Sequence, residues 1–171
     1  MHKAQSQTLR RQSAFSLAEA VLTLGVLSLF VVLCVSAISF SRVTSMKAKE
    51  EAVAMGFLEH YAEMLRGLPF AHLLPGWPIN PLLDGSGGGP NIRIPTNAAW
   101  FSVNTPDYLA FHPDLIWLTN RDPHARVVLT TTQVGGQPHT KHVQLELRWT
   151  APLGLGSQRT QRLDVIRVKD L

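Results

Sequence analysis

A chain of 171 residues fits one ordinary domain with an extension, and 45% hydrophobic against 16% charged residues excludes a wholly disordered polymer. The formal charge of +4 is concentrated at the start. Outside Lys3, Arg10 and Arg11, 13 basic residues face 12 acidic ones, so the totals carry no nucleic-acid footprint.

Residues 1–14 form a short basic leader without an acidic residue. From Ala20 to Phe40 the chain then reads AVLTLGVLSLFVVLCVSAISF, 21 residues without a charge. A helix of this length rises about 30 Å, the thickness of a bilayer core. A soluble core helix rarely stays apolar on every side for so long. Basic residues on the amino-terminal side predict a cytoplasmic start and an outer-facing remainder. The single cysteine, Cys34, lies inside this run, where it behaves as a small hydrophobe. Being alone, it excludes an internal disulfide framework and a cysteine zinc site. Glu19 stands at the entrance to the run, and an ionisable group at membrane depth is a functional candidate by default.

Two processing routes suit such a segment. Val35-Ser36-Ala37 carries the small residues of a signal-peptidase site, which would yield an exported protein beginning at Ile38. Against this, the apolar run exceeds an ordinary signal core, and the helical pattern continues beyond it. The stretch Ser13-Ala14-Phe15-Ser16-Leu17-Ala18-Glu19 instead resembles the prepilin signal of type IV pilins and type II secretion pseudopilins. The resemblance covers roughly the first 50 residues and rests on order: basic leader, small residue, Phe, then Glu at the fifth mature position. It implies cleavage by prepilin peptidase between Ala14 and Phe15, N-methylation of Phe15, and an assembly role for Glu19. The family usually has Gly before the cut, and this chain departs from it with Ala14.

The resemblance also implies a minor pilin or pseudopilin, a structural subunit held first in the bacterial inner membrane and later in a filament. Its implied partners are other pilin or pseudopilin subunits, prepilin peptidase, the inner-membrane assembly platform with its ATPase, and membrane lipid.

After the apolar half (residues 15–41) the chain turns amphipathic over residues 42–68. Ala54, Phe57, Leu58, Tyr61, Leu65 and Leu68 recur at three- and four-residue steps, while Lys47, Lys49, Glu50, Glu51, Glu59 and Glu63 take other faces. No proline interrupts Phe15 to Leu68, which predicts one long helix ending near Gly67 before Pro69.

Residues 69–98 read as a Pro/Gly-rich connection, with Asp84 to Pro90 as a surface loop. That loop lacks the strand, helix and lysine of a phosphate-binding loop. Residues 99–171 read as a sheet region. Val143, Leu145, Leu147 and Trp149 alternate with polar residues as a half-buried strand. Arg126 to Thr132 and Arg159 to Val168 make two more strands, with Gly135-Gly136 as a turn and an expected bulge at Val165-Ile166. Ala99 to Val103 and Leu115 to Thr119 are weaker strand candidates. The expected fold is α+β and pilin-like: a long amino-terminal helix packed on a small antiparallel sheet.

No nucleophile motif appears, and His139-x-x-His142 sits at a turn without a helical metal motif, so the chain is read as a non-enzyme without cofactor or metal. A DNA-binding competence pseudopilin remains as an alternative, which needs Arg121, Arg126, Arg159 and Arg162 to cluster on one surface.

Overall fold

The computed structural model describes residues 16–79, 92–151 and 157–169. The chain divides into two compact units, Met1–Arg42 and Val43–Leu171. The architecture is α+β, a long amino-terminal helix followed by a four-stranded antiparallel sheet, as the sequence predicts. Helix α1 runs Leu17–Gly67, 51 residues. Strands β1 (Phe101–Ser102), β2 (His124–Val134), β3 (Gln137–Thr150) and β4 (Gln158–Val168) follow, hydrogen-bonded in chain order. A short helix α2 (Pro106–Phe111) and a three-ten helix (Pro113–Arg121) fill the β1–β2 connection.

The core lies between the second half of α1 and one face of the sheet. On α1, Val53, Ala54, Phe57, Leu58, Tyr61, Ala62 and Leu65 are buried, the stripe that 3.6-residue periodicity places on one side. Opposite them, antiparallel register stacks Leu145 between Val127 and Leu163, and Val143 between Leu129 and Val165. These rows point one way because side chains alternate across a strand. Each fully buried large side chain contributes about 1.5–3 kcal/mol, so the stripe and these rows dominate the cohesion of the unit.

Gly56 lets the ring of His112 come close to α1: a Cβ there would stand 3.3 Å from His112 Nε2. Beyond the helix end, Arg167 of β4 donates to the Arg66 carbonyl and, at 3.5 Å, to that of Leu68, serving acceptors that the last turn leaves open. Lys141 of β3 is buried, and its ammonium donates to the carbonyls of Phe70 and Leu73 at 2.8 Å each. Burial pushes its pKa below the ordinary lysine value. The two carbonyls favour the charged form and tie the chain leaving α1 to the central strand.

The structure changes four sequence expectations. Leu115 to Thr119 is not a strand: Leu115 and Leu118 are buried at a spacing of three, which suits a three-ten turn after Pro113. Of Ala99 to Val103 only Phe101–Ser102 pairs, against Ala125 and His124. No bulge occurs at Val165-Ile166. Both pair regularly with Val143 and His142, and Ile166 is simply an apolar residue on the solvent face, 65% exposed. The register instead shifts between Thr132 and Gln133, beside the Gly135-Gly136 turn, where both glycines have positive φ (59° and 78°) as a tight hairpin requires. Finally, Glu50 is buried, only 5% exposed, and is not on the solvent face.

The 69–98 connection is anchored at both sides of its undescribed part. Ile79, Ile92 and Ile94 are buried, Pro78 bridges Arg93, and His72 stacks on Trp77 at 4.2 Å. The Asp84 to Pro90 loop lies outside the described residues.

Candidate assembly surface

The amino-terminal half of α1 begins with a cap. The Ser16 hydroxyl accepts a hydrogen bond from the Glu19 backbone N–H at 3.2 Å. Ser-x-x-Glu is the sequence of a capping box, and Ser16 supplies its hydroxyl half, a local role for Ser16 that the sequence reading missed. A carboxylate in the first turn also faces the positive end of the helix dipole. Among the described residues, none forms an ion pair with Glu19. Ala14 and Phe15, the expected cleavage and methylation positions, lie outside the described residues.

Beyond the cap, the apolar run offers its side chains outward on all sides. Leu22, Val26, Phe30, Leu33 and Phe40 are each more than half exposed. Two hydroxyls inside the run, those of Thr23 and Ser28, are satisfied within the helix. Thr23 donates to the Glu19 and Ala20 carbonyls at 2.8 and 2.9 Å, and Ser28 to that of Leu24 at 2.7 Å. In lipid every polar group needs such an internal partner. This helix is long and apolar enough to cross a membrane. Water alone is a poor solvent for such a surface, which calls for lipid or other helices.

In the second unit, the charged groups proposed for other activities are already engaged. Arg121 meets Glu50 at 3.1 Å, Arg159 meets Glu51 at 2.8 Å, and Arg162 meets Asp164 at 3.0 Å. Arg126 pairs with Glu146 and also lies over the Trp100 ring. Each arginine of the nucleic-acid alternative is therefore matched by a carboxylate, which cancels much of the attraction for phosphate. His142 contacts Asp164 at 3.1 Å rather than His139. Among the described residues, no three His, Cys, Asp or Glu side chains gather as a metal site.

An open groove of about 520 Å³ is lined in part by Arg93, Trp100, Phe101 and Tyr108. Its lining contains no carboxylate, histidine or cysteine.

The sequence reading also missed the junction where α1 enters the core. Glu50 accepts from Arg121 Nε at 3.1 Å and from Trp149 Nε1 at 3.3 Å. Nothing in a local pattern announces contacts 71 and 99 residues apart. The signal that existed was Glu50's position three residues before Val53, on the helix side that becomes buried.

No family model matches the chain, and no curated protein or solved structure matches it.

Proposed function

We propose that this chain is a minor pilin or pseudopilin, a structural subunit of a type IV pilus or type II secretion pseudopilus. The observation that carries the reading is the split character of α1. One helix joins an apolar half with an outward-facing surface to a half that is the core of an α+β domain. That division suits a subunit first anchored in a bilayer and later bundled through the same segment. The Ser13 to Glu19 motif at its head adds a processing site and a charged group in the order that the prepilin resemblance requires. The helix also runs through Val35-Ser36-Ala37 and on to Gly67, whereas a secretory signal ends its apolar core before its cut.

In this mechanism prepilin peptidase cuts after Ala14 and frees the amino group of Phe15. In the filament, Glu19 of one subunit pairs with the amino terminus of a neighbour. Apolar helix packing supplies most of the cohesion, and the ion pair sets the stagger, because either charge left alone in a low-dielectric bundle is costly. The inner membrane is the reservoir, with the leader cytoplasmic and the globular unit on the outer side.

Mass spectrometry of the mature amino terminus tests the proposal. The expected product begins with methylated Phe15. A product beginning at Ile38 would remove the apolar half and with it the assembly mechanism.

A further inference from the structure

The three-ten helix Pro113–Arg121 is pinned and presented in an unusual way. Leu115 and Leu118 are fully buried, so the turn is fixed on the core by two side chains three residues apart. That leaves Ile116 and Trp117 facing outward, 64% and 57% exposed. A soluble surface seldom sets these two residues side by side in solvent. The Trp117 ring is covered on one side by Lys49, whose Nζ stands 3.0 Å from the ring centroid. Met46, 49% exposed, lies three residues before Lys49 on the same side of α1. An aromatic amphiphile, two aliphatic side chains and a lysine make up the patch.

Its charge surroundings are lopsided. Between Ser41 and Ala52 the acids are Glu50 and Glu51, and both are taken, by Arg121 and Arg159. Arg42, Lys47 and Lys49 remain exposed. The acid nearest along the chain to Ile116 and Trp117 is Asp114, on the same three-ten helix. Asp122, its side chain 79% exposed, follows the same turn, so Arg42, Lys47 and Lys49 face two acids, a slight basic excess that complements anionic headgroups. Chain connectivity restricts the partner further. Lys49 follows Phe40, the end of the apolar run, by nine residues of α1, which rise about 14 Å as helix and reach about 30 Å at full extension. A patch so tethered meets the surface of the bilayer holding the run at a high effective concentration.

We infer that the Ile116–Trp117 patch, with Lys49 and Met46, docks into the headgroup layer of the bilayer that the apolar half of α1 spans, holding the globular unit on the membrane before assembly. Tryptophan and lysine are the side chains best suited to that layer, with an apolar body and a polar end. The inference rests on the membrane-anchored reading of residues 17–40.

The test uses the full chain reconstituted into vesicles containing anionic lipid, some of it brominated near the top of the acyl chains. Resistance to alkaline carbonate extraction reports insertion of α1 independently. Bromolipid should quench the tryptophan emission, and Trp117→Phe should remove most of that quenching, because Trp149 is buried and Trp77 and Trp100 are half-buried. Ile116→Glu, a change at an exposed position that keeps the reporter, should reduce quenching by bromolipid and increase quenching by aqueous iodide. Carbonate-resistant protein whose quenching is unchanged by Trp117→Phe would overturn the docking while leaving the anchor in place. So would emission shielded from iodide only as protein density rises, which would assign the patch to a second copy. Extraction by carbonate would overturn both readings.

Discussion

Glu50 offers the sharpest test of the folded unit, because it is a buried carboxylate whose partners are both known. Its side chain is 6% exposed and that of Arg121 27% exposed, so solvent screens the pair only partly. Glu50→Ala would strand the Arg121 guanidinium and leave the Trp149 indole N–H, deep in the core, without an acceptor. Removing one member of a buried pair costs about 3–5 kcal/mol, a total that includes the penalty of about 1–3 kcal/mol for the unmet indole. For a unit of 129 residues, Val43–Leu171, this lowers the melting temperature by about 10–15 °C. Glu50→Gln should cost less, about 1–3 kcal/mol, since an amide oxygen still accepts one of the two hydrogen bonds. Glu50→Leu combined with Arg121→Met should recover much of the loss, because no charge is then left buried. Urea unfolding of the 43–171 fragment, followed by tryptophan fluorescence, measures all three. The reasoning fails if Glu50→Ala and Glu50→Gln unfold alike, or if both lie within about 0.5 kcal/mol of wild type, the range of ordinary surface changes.

Two further outcomes concern charge. If Glu19 pairs with a neighbouring amino terminus, Glu19→Gln should give a correctly cut subunit that is absent from sheared filaments, a loss of about 3–5 kcal/mol; normal incorporation would refute the pairing. His112 is held below the ordinary histidine pKa of 6.5 chiefly by burial, with His60 adding to the shift and Asp114 and the Gly56 backbone opposing it. Its contribution is therefore complete above pH 6.5 and is lost as the pH falls through the depressed folded value. Melting temperature followed from about pH 7.5 to 5 should fall less steeply in His112→Phe, which keeps the stacking on Phe57, and equal slopes would refute this.

Periodic features were legible in the sequence and contact-dependent ones were not. The extent of α1 followed from a proline-free stretch and a Gly67 stop, β2 from its β-branched run, and β3 and β4 from alternation. Each of these depends on neighbours within a turn or two of the chain. The three-ten helix was misread because Leu-Ile-Trp-Leu is an apolar run without a decisive period. The bulge was misplaced because Ile166 breaks the alternation on the solvent face without altering the ladder. At the amino terminus, the order of Ser13 to Glu19 stands in the sequence, whereas the Ser16 cap depends on where the first helical turn begins. Glu50, Lys141 and Trp117 depend on side chains from distant segments, which one-dimensional periodicity does not encode.

The same contrast explains why a charge stands where α1 meets the core. The buried stripe of α1 repeats every three or four residues, so sliding the helix by one turn, about 5.4 Å, would still face apolar residues with apolar residues. Apolar packing supplies cohesion and only weakly forbids the slip. Glu50 forbids it strongly, since a shifted carboxylate would lose both Arg121 and Trp149 and remain in the core without a partner. Arg159 on Glu51 and Arg167 on the Arg66 carbonyl add polar ties from β4 along the same helix. Polar contacts to the sheet thus set the register of α1, while its apolar stripe supplies the cohesion.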